Sequence, residues 1–145
     1  QLVKTIINQC SRSTLKNGDG MNINYKQFVN DYLATASWVT CDAGENTEFT
    51  NEAKEIAMRD CCQFIGAVLW EFGEKKATEL LEVPGSDLGY LAAHCFFLNR
   101  NGHGSGFWDR EKEFGDDSNK LSDISESFGS IDCYHIKGKK SKLTF

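Results

Sequence analysis

Proline is almost missing from this chain: Pro84 is the only one in 145 residues. That excludes a Pro-rich or collagen-like scaffold. Long apolar runs are missing too, and nothing approaches the roughly 18 apolar residues of a membrane helix. Histidine is scarce, with only His94, His103 and His135. No two of them form an HxxxH pair, and no CxxC occurs, so the usual ligand spacings of a zinc site are lacking. Charge of one sign is weak as well. The net charge is -5, from 16 basic and 21 acidic residues. This is not the footprint of a nucleic-acid coat, and it falls short of a DNA mimic.

Against these absences stand 40% apolar and 12% aromatic residues, a composition that argues against intrinsic disorder. The length fits one domain. A domain of this size buries about two-thirds of its unfolded surface and folds without covalent staples. The six cysteines are Cys10, Cys41, Cys61, Cys62, Cys95 and Cys133. Their even number invites a disulfide framework. Yet Cys61 and Cys95 fall on apolar stripes of predicted helices, where a free thiol acts as a small hydrophobe. No secretory apolar core stands in the first residues, although Gln1 in place of Met leaves a removed leader open. The expectation is mostly buried thiols in a reducing cytoplasm.

Apolar spacing predicts a mainly α single domain of four to five helices with a small C-terminal β-hairpin. Residues 1–24 read as an N-terminal extension and loop, with a short apolar element at 2–9. Residues 25–129 form the helical body and 130–145 the hairpin. Asn24 is a candidate N-cap, with Gln27 completing a capping box. From Tyr25 the apolar positions 25, 28, 29, 32, 33 and 36 trace one helical face, which stops near Cys41. Residues 42–49 read as a loop. Thr50 caps a helix of roughly 23 residues, ~35 Å long, with Ala53, Ala57, Cys61, Phe64, Ile65, Val68 and Phe72 inward. Gly66 and Gly73 mark close packing or a bend, and a short helical continuation ends at Val83. Ser86 or Asp87 is expected to cap a further helix with Leu88, Leu91, Ala92, Cys95 and Phe96 inward. Asp117 or Ser118 opens the last helix, with Leu121, Ile124 and Phe128 on one side. Residues 131–136 alternate like a strand.

Chemistry concentrates in residues 100–110. Gly102, Gly104 and Gly106 let the backbone approach a ligand and aim N–H groups at an anion. Arg100 and Arg110 offer forked donors for phosphate or carboxylate. His103 is a candidate acid/base group, and Asp109 a candidate orienter for it. Asn101 adds an amide, and Phe107 and Trp108 offer rings for stacking. An architectural reading stands beside the functional one. The glycines then permit a tight helix exit, the arginines and Asp109 brace it, and the rings plug the core. No Gly-Lys-Ser/Thr and no strand-borne GxGxxG supports a phosphate loop.

Other sites are weaker. Gly20 at the sixth position of a calcium loop would put Leu15 first and Lys26 twelfth, where a bidentate glutamate is required. Joining His94 and Cys95 with Cys61 or Cys62 into a zinc site competes with the core reading of those cysteines, and no metal or cofactor is expected. Gly104-Ser105-Gly106 is not a nucleophile elbow. Lys137, Lys139, Lys140 and Lys142 make a basic hairpin tip. Removing these four positive charges from the net -5 leaves -9 for the remainder. The tip is a possible phosphate contact or simply a solvated turn.

The text Asn99-Arg100-Asn101-Gly102-His103-Gly104-Ser105-Gly106-Phe107-Trp108-Asp109-Arg110 resembles a motif of small proteins of tailed bacteriophages and prophages. Those typically read Phe-Trp-Leu-Thr-Arg-Asn-Gly-His-Gly-Ala-Gly-Phe-Trp-Asp-Arg. The segment from Asp31 to Trp38 is similar to the first helix of that family. Met58-Arg59-Asp60-Cys61 with Phe64 is similar to its long helix, Leu121 to Gly129 to its last helix, and Ile131 to Ile136 to its closing strand. The likeness spans residues 31–136, and only its central motif is specific. Cys95, beside His94, stands where the family carries an acidic residue, Phe97 replaces a Trp, and Asn99 a Thr. The resemblance implies a phage-encoded accessory protein in the host bacterial cytoplasm, without naming a reaction. Three functions remain in play. One is a binding or inhibitory module for a host protein, nucleotide or nucleic acid. Another is a nucleotide- or nucleic-acid-processing enzyme using His103 and Asp109. The third is a small virion component.

Overall fold

The computed structural model describes residues 23–41, 47–85 and 89–145, and only the backbone of Lys140. The apolar element expected at 2–9, the rejected calcium loop, Cys10 and the cap candidates Ser86 and Asp87 lie outside these residues.

Helix α1 spans Tyr25–Thr40. Asn24 caps it as expected, its Oδ1 accepting from Gln27 N at 3.0 Å. Only half of the capping box forms: Gln27 Nε2 donates to Asp31 Oδ1 instead, at 2.9 Å. The six apolar positions of its predicted face are all buried.

Helix α2 runs Asn51–Leu81, with a Thr50 cap accepting from Ala53 N. It is two helical pieces joined at Gly73, whose φ of +80° only glycine adopts without strain. The bend read from the sequence is therefore real at Gly73, whereas Gly66 sits in regular helix on an exposed face.

Helix α3, Leu91–Arg100, begins later than expected and has no side-chain cap. Its entry is held from outside: Asp31 Oδ2 accepts from Tyr90 N at 2.8 Å, and Val83 O accepts from Leu91 N at 3.0 Å. Then come a 3-10 turn, Phe107–Asp109, a short helix α4, Glu111–Phe114, and a second 3-10 turn, Gly115–Asp117. Helix α5 spans Ser118–Glu126, starting where expected.

The expected hairpin is present as β2, Tyr134–Ile136, paired antiparallel with β3, Lys139–Thr144. A third strand, β1, Glu48–Phe49, lies parallel on the other side of β3 and corrects the loop expected there. Two residues are too few to show a strand period. Tertiary contacts define it: Leu143 O accepts from Thr50 N, and Lys142 pairs with Glu48 at 2.9 Å.

The helices α1, α2, α3 and α5 enclose one aromatic core. Phe64 of α2 stacks on Phe96 of α3 at 4.2 Å between centroids and on Phe107 at 5.8 Å. Each such ring contributes about 1.5–3 kcal/mol by leaving water. Cys61 and Cys95 are buried free thiols in this core. Burial pushes the Cys61 thiol well above its ordinary range and Cys95 to about 12. Cys62, in contrast, is disulfide-bonded, an exception to the mostly free thiols expected. Adjacent helical residues point about 100° apart, so Cys61 and Cys62 face different surroundings.

Candidate functional site

The segment from 99 to 110 divides into groups that face inward and groups that face solvent. Asn99 is buried, and its Oδ1 accepts from Phe107 N at 2.9 Å. Gly106 lies against it so closely that a Cβ would sit 2.5 Å from Asn99 Oδ1. Asn101 donates from Nδ2 to Phe97 O at 2.9 Å and accepts from Ile131 N at 2.7 Å. It therefore ties the end of α3 to the segment leading to β2. Asp109 Oδ1 accepts from Gly106 N at 3.0 Å, and its Oδ2 accepts from Ser105 Oγ at 3.4 Å. Gly102 and Gly104 turn the chain with φ of +65° and +74°. Phe107 is buried in the aromatic core.

Arg100 is the largest inward commitment. Its Nη1 donates to Asp60 Oδ2 at 2.7 Å and to Tyr32 Oη at 3.0 Å. Its Nε donates to Gly129 O at 2.8 Å and Nη2 to Phe128 O at 3.2 Å. The guanidinium also lies over Phe96 and Phe128, at 5.4 and 5.8 Å from their ring centroids. Burial alone would lower the Arg100 pKa, but Tyr32 and Asp60 outweigh it and the group stays charged. Burial drives the Tyr32 phenol far above its ordinary pKa, so it stays protonated. Removing one partner of such a buried pair costs about 3–5 kcal/mol, because the other charge is stranded. Among the described residues no buried side-chain polar atom lacks a partner.

Facing solvent are the side chains of His103, Asp109 and Trp108, the last 51% exposed. The His103 ring lies parallel to Phe97, 6.0 Å between centroids. Arg110 reaches Glu113 at 3.7 Å on the surface. Thus His103, Asp109 and the two arginines do not converge on one pocket. Arg100 is spent on the core, and Asp109 braces the loop.

Two constellations escaped the sequence reading. In the first, Asp31 binds Gln27 and Tyr90 N, while Thr35 one turn later hydrogen-bonds His94 Nδ1. In the second, Arg100 forms one wall of an open cleft of about 450 Å³. Arg59, Asp60 and Gln63 of α2 line it, with Ser127, Phe128, Ser130 and Ile131 opposite. A signal for the second was available. Asp60 lies between Ala57 and Phe64 on the apolar stripe of α2, where a carboxylate requires a buried cation.

Among the described residues no three His, Cys, Asp or Glu side chains gather as a metal site. At the hairpin tip Lys137 and Lys139 are exposed, while Lys142 is paired with Glu48. No helix among the described residues is long and apolar enough to cross a membrane. The chain matches no family model, no curated protein and no solved structure.

Proposed function

We propose that this chain is a small accessory protein of a tailed bacteriophage or prophage, and that it acts in the infected cell by binding a host protein. The phage origin rests on the likeness of residues 99–110 to that family. The binding mode rests on one observation: Asn99, Arg100, Asn101 and Asp109 are engaged by the fold and the loop, while the Trp108 and His103 side chains stand in solvent without such bonds among the described residues. A loop braced in this way presents an aromatic ring and an imidazole with little ordering entropy left to lose. Rigid aromatic anchors of this kind dominate protein interfaces. The enzyme reading loses support, since its clamp Arg100 and its orienter Asp109 are engaged elsewhere. The basic tip is a weaker anchor than its four lysines suggested, because Glu48 neutralises Lys142.

Immobilised protein exposed to lysate of the host bacterium tests this reading. The expected result is one protein retained near stoichiometry, identified by mass spectrometry and rebound when purified. The double variant Trp108→Ala/His103→Ala is expected to lose it while melting normally. Equal retention by the double variant, or chain found only in assembled particles, overturns the proposal.

A further inference from the structure

The cleft beside Arg100 holds two guanidinium groups with very different duties. Arg100 has donors committed to Asp60, Tyr32, Phe128 and Gly129. Arg59 is anchored only at its root, where Nε donates to Asp60 Oδ1 at 2.9 Å. Its two Nη atoms have no partner among the described residues, and its side chain is 37% exposed. Gln63, one turn further along α2, is exposed, and so is Ser130 across the opening. Ser127 donates to Ile124 O at 2.6 Å, which leaves its oxygen lone pairs available. Phe128 and Ile131 supply apolar wall.

The charged lining is two arginines and one aspartate, a formal +1, in a chain of net -5. A positive cleft with low-dielectric walls on an acidic body concentrates small anions. Asp60 fixes Arg59 through Nε, so the outer fork is pre-set for two parallel bonds to an oxyanion. The cleft volume falls in the range of small-molecule sites, which runs from roughly 300 to 1,000 Å³. We infer that this cleft binds a small organic oxyanion, with its phosphate or carboxylate head in the Arg59 fork and a ring or short apolar body against Phe128 and Ile131. This site is separate from the Trp108 surface, and either can exist without the other.

Phenyl phosphate, benzoate and inorganic phosphate, each titrated to about 10 mM against isotope-labelled protein, provide the test. Phenyl phosphate or benzoate is expected to shift the Arg59 side chain and the Ser130 amide saturably. The tighter of the two identifies the head group, and inorganic phosphate, lacking the ring, is expected to bind more weakly than phenyl phosphate. Arg59→Ala is expected to weaken binding about tenfold or more, the size of one charged hydrogen bond, with a modest loss of melting temperature because Asp60 Oδ1 loses its donor. Arg59→Lys keeps charge but loses the fork and is expected to fall between. Ser130→Ala offers an independent, milder loss. The inference is overturned if no probe saturates, if Arg59→Ala binds like the parent chain, or if the shifts centre on Lys137 and Lys139.

Discussion

The two faces of residues 99–110 share one stretch of sequence and have opposite physical fates. Inward, Asn99, Arg100 and Asn101 spend their polar atoms on α2, on the segment before β2 and on the loop itself, and Asp109 braces the loop from its surface. Outward, Gly102, His103, Gly104 and Trp108 touch little. A dense motif of Arg, His, Asp and Gly therefore need not be a reaction centre. Here one half stabilises the fold while the other half stands in solvent. Variants of the inward half should alter stability, and variants of the outward half should alter binding alone.

The largest effect is expected at Arg100. Arg100→Ala leaves buried Asp60 with only the partly exposed Arg59 as partner and removes the donors to Tyr32, Phe128 and Gly129. It should cost about 3 kcal/mol, read as a shifted midpoint in urea. Replacing Asp60 and Arg100 together by Asn and Met should recover much of that loss, since neither charge is then left unpaired. A double variant no better than Arg100→Ala would mean that Tyr32 and the two carbonyls carry the hub.

Alkaline pH attacks the same core next. The Cys95 thiol ionises near 9.0 when unfolded, but in the fold it keeps its proton to about 12. The unfolded chain thus sheds its proton first, so stability falls as pH rises from 9 towards 12. Each pH unit in that window removes about 1.4 kcal/mol for this one thiol. Cys95→Ala should remove its share of the slope of stability against pH there, Cys61 keeping its own, while Cys133→Ala should leave more of it in place.

Gly106→Ala follows. Its new Cβ would meet Asn99 at 2.5–2.7 Å, and displacing that packed amide should cost about 1–3 kcal/mol. Gly104→Ala has open space around it and is strained only by its φ of +74°, so it should cost less, about 1 kcal/mol. Equal losses at the two glycines would show that backbone angle, rather than the Asn99 contact, governs the loop.

Legibility in the sequence followed the range of the forces involved. Helix α1 and the first piece of α2 were readable because local spacing and local caps define them: Tyr25 to Ala36 repeat on one face, and Thr50 satisfies its own first turn. Gly73 was readable as a bend because glycine freedom is a local property. Strand β1 and the start of α3 were not, since Leu143 and Asp31 hold them from distant parts of the chain. The candidate site shows the same division. The sequence located the segment 100–110 but could not say which way Arg100 pointed. That depends on Asp60, 40 residues away, and on Tyr32. The open cleft was hidden for the same reason, as its walls come from α2, α3 and the exit of α5.

The smallest stability effect should come from the outward pair, and it is the sharpest test of the division. Trp108 is half in water, and His103 rests over Phe97 from the solvent side. Each change to alanine should therefore move stability by no more than about 0.5 kcal/mol. If Trp108 anchors a partner, its removal should nonetheless weaken binding by about 2 kcal/mol or more, roughly thirtyfold in Kd. Such a split, with melting unchanged and affinity lost, cannot come from a latch, because a latch residue must disturb the fold to disturb binding. A Trp108→Ala chain that melts several degrees lower would place that ring with Phe107, as part of the core plug. The outward half would then shrink to His103 and its two glycines.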